Sequence, residues 1–171
     1  MDRAELARQI YTVSHLTGEF TLRSGVVSHE YFDKYRFEAD PALLLAIAEA
    51  MAALVPDGIE ALAGLELGGV PLATVLSQVT GIPALFVRKE AKTYGTCKLA
   101  EGGEIEGVRL LVVEDVVTSG GAILDAAREL RDRGGIFDRV VCVIDRESGG
   151  RENLAEAGLT LDPLFTMSEL L

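Results

Sequence analysis

"LLVVEDVVTSGGA", Leu110 to Ala122, decides how the rest of this chain is read. An apolar run leads directly into two carboxylates, Glu114 and Asp115, then through Val116 and Val117 into the turn Thr118-Ser119-Gly120-Gly121. Such a run reads as a buried strand, and buried charge is costly unless a partner meets it. That partner need not be protein. In open α/β sheets ligands sit beyond the carboxyl ends of the strands, and the acids are read at such an end. Glycines let backbone N–H groups approach a ligand, and the helix "AILDAAREL" that follows presents an N-terminus, which favours phosphate. Two acids can accept hydrogen bonds from vicinal sugar hydroxyls. Together these features describe a pocket for a ribose carrying a 5-phosphate. For the bare Thr118–Gly121 turn alone, a plain βα connection capped by Asp115 or Thr118 serves at least as well.

Outward from this stretch a rhythm is legible. On its N-terminal side, "IEALAGLE" reads as a strand, "GGVPLATVLSQVTG" as a helix ending at Gly81, and "PALFVRK" as a strand. On its C-terminal side the helix closes at Gly134-Gly135, "RVVCVIDR" is a strand, "GRENLAEAG" a short helix, and an apolar stretch near "LTLDPLF" ends the chain. Strands alternating with helices imply βαβ units and a mostly parallel sheet, covered on both faces because the strands are continuously apolar. Upstream, Leu6, Ala7, Ile10 and Val13 give an amphipathic first helix. "GEFTLRSGVVSHEYFDKYRF" gives two short strands punctuated by Gly25. Asp40-Pro41 supplies an N-cap and first-turn proline for "PALLLAIAEAMAALV".

At 171 residues this is one domain. The net charge of -11 excludes a broad nucleic-acid surface, which needs a basic footprint. No apolar run approaches the roughly 20 residues of a membrane span, and the charged N-terminus is no secretory signal, so the expected location is the cytoplasm. Cys97 and Cys142 have neither metal-ligand nor disulfide spacing; one reads as a loop thiol, the other as a strand core residue. His15 and His29 are not read as metal ligands.

Between Arg88 and Arg109 the rhythm breaks: "KEAKTYGTCKLAEGGEIEGV" is about 20 residues long, a length that marks a functional or disordered loop. From Arg88 to Lys98 four cations, Arg88, Lys89, Lys92 and Lys98, stand against the single acid Glu90, in an otherwise acidic chain. Here a resemblance enters. "VVEDVVTSGGA" resembles the phosphoribosyl pyrophosphate (PRPP) signature of the type I phosphoribosyltransferases. "FVRKEAKTYGTCKLAEG" resembles the catalytic loop of orotate phosphoribosyltransferases, R-K-E-x-K-x-H-G. "GEFTLRSGVVSHEYFD" and "VIDRESGG" resemble two further segments of that family, in the same order. Two positions depart from the pattern. Tyr94 stands where the loop histidine is usual, and Gly68 where a lysine near the pyrophosphate is usual.

The resemblance implies a fold and a chemistry. The fold is α/β and type I phosphoribosyltransferase-like, a mostly parallel sheet flanked by helices. Residues 1–38 form a helix and a small hood over the active site, and residues 39–171 the core, with a mobile loop at about 88–108. The reaction is Mg2+-dependent displacement of pyrophosphate from PRPP by orotate in pyrimidine (UMP) biosynthesis. Lys92 is the expected main transition-state cation, and Asp115 the second catalytic residue. Arg88 and Lys89 hold pyrophosphate beside Lys92, and Glu114, Asp115, Val116, Val117, Thr118, Ser119, Gly120, Gly121 and Ala122 form the PRPP-binding stretch. Arg146, with Arg23 in reserve, meets the orotate carboxylate; Thr118 and Phe32 contact the base. Mg2+ is expected on PRPP oxygens, with no direct protein ligand. In the family the loop lysine reaches into the neighbouring subunit, which implies a homodimer. A phosphoribosyltransferase for another base and a non-catalytic PRPP-binding regulator are the alternative readings.

Overall fold

A computed structural model describes residues 1–171. Chain order is α1 (Arg3–Ser14), β1 (His15–Thr21), β2 (Val27–Phe32), α2 (Tyr35–Ala39), α3 (Pro41–Met51), β3 (Ala61–Leu65), α4 (Gly69–Thr80), β4 (Ala84–Val87), β5 (Ala100–Glu101), β6 (Leu110–Val117), α5 (Gly121–Asp132), β7 (Arg139–Asp145), α6 (Gly150–Glu156), β8 (Thr160–Thr166) and α7 (Met167–Leu170). Local chemistry starts the helices where the sequence places them. The Asp2 side chain accepts the Glu5 N–H at 2.8 Å and begins α1. The Asp40 side chain accepts those of Ala42 and Leu43 at 3.0 Å, with Pro41 in the first turn of α3. Each such cap stabilises its helix by about 1 kcal/mol.

The main sheet has the order β5-β4-β3-β6-β7-β8. Every pairing is parallel except β4 with β5. Successive strands move outward from β3 to β4 in one direction, and from β6 through β7 to β8 in the other. The point of reversal lies between β3 and β6, and the crevice at such a switch point is where open α/β sheets bind ligands. The sheet divides the core in two. One face packs Leu62, Leu111 and Val113 against α1, α3 and α4; the other packs Leu110, Val112 and Val140 against Ile123, Ala127 and Leu130 of α5 and Leu154 of α6. At Gly64 helix α4 lies directly on β3, where a Cβ would stand 2.5 Å from the Gly69 carbonyl oxygen and 2.7 Å from Ala73 Cβ.

Four sequence expectations shift. The core reaches ahead of residue 39, since α1 buries Leu6, Ala7 and Ile10 in it and Phe37 of α2 joins them. Only the β1–β2 antiparallel hairpin stands apart as its own sheet. Helix α2 was not foreseen, being too short to show a period and lacking a side-chain cap. Within the span 88–108, Leu99, Ala100 and Ile105 are core residues and β5 pairs with β4, so the exposed stretch narrows to Lys89–Cys97 with Ala91 and Lys92 half-covered. Finally, β6 continues through Val117, so Glu114 and Asp115 lie inside the strand rather than at its end. No helix is long and apolar enough to cross a membrane.

Candidate active site at the strand crevice

Asp115 is fully buried. Its Oδ1 accepts the Val116 N–H at 2.6 Å, and its Oδ2 stands 2.7 Å from the ammonium of Lys34. The buried acid therefore has a protein partner, from a residue the sequence reading passed over. Lys34 lies immediately before α2. Burial pulls its ammonium down, but the hydrogen bond to Asp115 and the charges of Asp115 and Glu114 more than reverse this and leave its pKa above the ordinary value. Glu114 is also buried; one carboxylate oxygen accepts the Asp115 N–H at 3.0 Å. Burial, then the adjacent charge of Asp115, pushes the Glu114 carboxyl well above the usual range. Glu38 of α2 completes the cluster. Burial first and Asp115 second raise it to about 8, against the opposing pull of Lys34. Gly68, in the loop after β3, touches the same spot: a Cβ there would overlap the Asp115 carboxylate.

Beyond β6 the turn leads into α5 as the sequence suggests. Thr118 and Ser119 are exposed, and Gly120 takes φ +80°, the left-handed conformation that glycine adopts without strain. No side chain caps α5. The plain-connection reading required Asp115 or Thr118 in that role, and neither fills it. An open helix N-terminus behind a glycine turn is suited to phosphate. The turn is braced from α6, with Asn153 Nδ2 donating to the Ser119 carbonyl at 2.8 Å and Gly150 set against the Thr118 carbonyl. Val117 is a core side chain and Val116 packs against the core, so any ligand contact they make is through backbone.

Thr118, Arg146 and Phe32, three of the four residues expected at the base, line one cavity of about 520 Å³ together with Tyr31 and Leu22 of the hairpin segment. The Arg146 guanidinium lies 5.9 Å from the Phe32 ring centroid. It forms no ion pair: the neighbouring Asp145 is taken by Arg151 at 3.4 Å, and Glu147 accepts from Ser168 instead. Arg23 is exposed in the hairpin turn and does not line the cavity. The structure adds wall residues that no local motif announced. Tyr11 stacks on His15 at 4.8 Å between ring centroids, and Met167 lines the same cavity. Glu147, held at φ +57°, takes the N–H and hydroxyl of Ser168 on its two oxygens at 2.9 Å, tying the Arg146 loop to α7.

The loop cations are gathered but parked. Lys92 Nζ lies 2.6 Å and Arg88 Nε 3.3 Å from one oxygen of Glu101 on β5. The Lys92 hydrogen bond leads in holding the Glu101 carboxyl below its ordinary pKa, with Arg88 adding to it. Lys98 pairs with Glu104 at 2.7 Å. The Lys89 side chain makes no ion pair, and its backbone N–H donates to the Glu66 carboxylate, which joins the loops after β3 and β4. Tyr94 is exposed, its ring 5.6 Å from the Lys92 ammonium. Cys97 is exposed and Cys142 buried in β7, as the sequence suggested.

The whole arrangement has relatives. The description "phosphoribosyl transferase domain" fits residues 35–159. An orotate phosphoribosyltransferase of Nocardioides sp. is 58% identical over 98% of this chain and 93% of its own length. That of Methanocella arvoryzae is 48% identical over 90% of this chain and 88% of its own. The crystal structure of Mycobacterium tuberculosis orotate phosphoribosyltransferase with Fe(III) dicitrate superposes with a TM-score of 0.90 at 36% identity, covering 99% of both chains. The complex of that enzyme with PRPP gives a TM-score of 0.84 at 34% identity and the same coverage.

Proposed function

The chain belongs to the phosphoribosyl transferase family, and from that premise we propose that it is an orotate phosphoribosyltransferase working at the β3–β6 crevice. It moves the phosphoribosyl group of PRPP onto a ring nitrogen of orotate: a C1–N bond forms, the C1–O bond to pyrophosphate breaks, and orotidine 5′-phosphate leaves. The observation that carries the choice of base is Arg146, a guanidinium with no acid partner on the wall of a 520 Å³ cavity, beside Phe32 and Thr118. A planar fork of that kind suits a carboxylate bidentately.

The other roles belong to the same proposal. The Thr118–Ala122 turn and the α5 N-terminus take the 5-phosphate. Glu114 and Asp115, on strand β6, are the acids assigned to the ribose hydroxyls. Arg88, Lys89 and Lys92 are the pyrophosphate cations, and closure of the loop exchanges Glu101 for the leaving group. Charge developing on pyrophosphate then meets preorganised donors in a site from which water is excluded. No cluster of three or more His, Cys, Asp or Glu side chains is placed to hold a metal ion, and the donors at the crevice are carboxylate oxygens, the type Mg2+ takes. Mg2+ carried on the pyrophosphate oxygens would supply charge neutralisation, while the chain orients the two ends of PRPP around it. A homodimer in which one subunit's loop completes the other's crevice is part of the proposal.

Arg146→Ala tests the base. It should lower kcat/KM for orotate about 10- to 100-fold, from a lost charge-assisted bond of about 1.5–3 kcal/mol, and leave the weak use of uracil unchanged. Turnover of uracil or a purine on a par with orotate by the unmutated protein would defeat the orotate assignment.

A further inference from the structure

We propose that Lys34 is a substrate-binding residue of this site, its ammonium held at the β3–β6 crevice by Asp115 to take the pyrophosphate oxygens of PRPP. The inference rests on the phosphoribosyltransferase reading above and concerns a residue that no motif in the sequence assigns.

Geometry places the ammonium first. Asp115 lies on β6 and Gly68 follows β3, so the two mark opposite sides of the switch-point crevice. Lys34 Nζ is 2.7 Å from Asp115 Oδ2, the oxygen that a Cβ on Gly68 would overlap. The loop after β3 can therefore send no side chain into this corner, and the cation standing there comes from the N-terminal segment. The α5 N-terminus fixes the 5-phosphate beyond β6, so the opposite, pyrophosphate end of the sugar falls toward β3, where Lys34 stands.

Chemistry agrees with position. An ammonium has three donors, and Asp115 is the one ion-pair partner Lys34 has. Its side chain keeps 34% exposure, whereas Asp115 has none, so the lysine, unlike the acid, is open to a ligand. The surroundings hold it charged: Asp115 and Glu114 both raise its pKa, against the burial that lowers it. Arg88 and Lys92 are tied to Glu101, which leaves Lys34 as the cation already fixed in the crevice before the loop closes. A lysine ammonium takes phosphate oxygens as a compact point charge and imposes no single approach.

Calorimetry with three probes in Mg2+ buffer separates the possibilities. Lys34→Met should weaken PRPP and inorganic pyrophosphate by about 10- to 100-fold, the loss of one charge-assisted contact. Ribose 5-phosphate, which lacks the pyrophosphate, should stay within about twofold. Lys34→Arg, which keeps the charge, should recover part of the loss. Equal weakening of all three probes would show that Lys34 serves only to position Asp115, and unchanged binding of all three would show that it touches no substrate. Either result overturns the proposal. On the unmutated protein, saturating pyrophosphate should shield Lys34 from reductive methylation while ribose 5-phosphate should not, and this arm decides the matter if Lys34→Met does not fold. Methylation of Lys34 indifferent to pyrophosphate would also overturn it. Failure of the unmutated protein to bind PRPP at all would instead bring down the phosphoribosyltransferase reading itself.

Discussion

Replacing Glu38 by Gln should change the pH dependence of stability. Glu38 is 7% exposed, and neither of its carboxyl oxygens has a hydrogen-bond partner. Burial, then the charge of Asp115, lifts it from 4.5 to about 8 despite Lys34. The folded chain thus keeps a proton that the unfolded chain releases near its ordinary pKa. Between about pH 4.5 and 8 the folded state binds more protons, so stability falls as pH rises through that window and levels off above it. At about 1.4 kcal/mol per unit, a shift of about 3.5 units sets a ceiling of about 5 kcal/mol. Rearrangement of the surrounding dipoles as the acid ionises reduces it to about 2–3 kcal/mol. Glu38→Gln removes the titration. The variant should match the parent below about pH 4.5, gain on it through the window, and hold a constant advantage above about pH 8, equivalent to roughly 5–10 °C in Tm. Among its neighbours, Lys34 stays charged across the range, and the raised Glu114 acts alike in both proteins, so both cancel in the difference. Urea unfolding of the two proteins at fixed concentration, from pH 4 to 9.5, gives the comparison. A difference that does not vary with pH would refute the reasoning.

Two further outcomes concern the loop. Glu101→Gln frees Arg88 and Lys92 from their resting partner and should lower the KM for PRPP by roughly two- to fivefold, the range for exposed ion pairs, with kcat little changed; steady-state titration of PRPP at fixed orotate reads it, and an unchanged or raised KM would mean that Glu101 does not compete with pyrophosphate. Lys92→Ala should lower kcat by about 10²–10³-fold with a much smaller effect on PRPP affinity. Mixed with Asp115→Ala subunits it should recover activity if the loop works across a dimer, and exchanged dimers without recovered turnover would rule that arrangement out.

Much of the architecture was readable residue by residue. The alternation of apolar runs with glycine-bounded helical segments determined the parallel sheet. Asp40-Pro41 determined where α3 starts, and the Glu114–Ala122 stretch determined which strand end carries the glycine turn. Caps, periods and glycine turns act over a few neighbouring residues, so the chain states them locally. Arg146 and Phe32 were also legible as candidates, although not that they would share a wall with Thr118, nor that Arg23 would stay outside it.

The electrostatics of the site were decided by tertiary structure alone. Lys34 meets Asp115, Glu101 gathers Arg88 and Lys92, and Glu147 fastens the Arg146 loop to α7. Each pairs residues from separate elements whose approach is set by packing on the sheet. A charge in sequence shows neither its burial nor its partner, and those two quantities decide whether Asp115 is an open acid or one already held by a lysine.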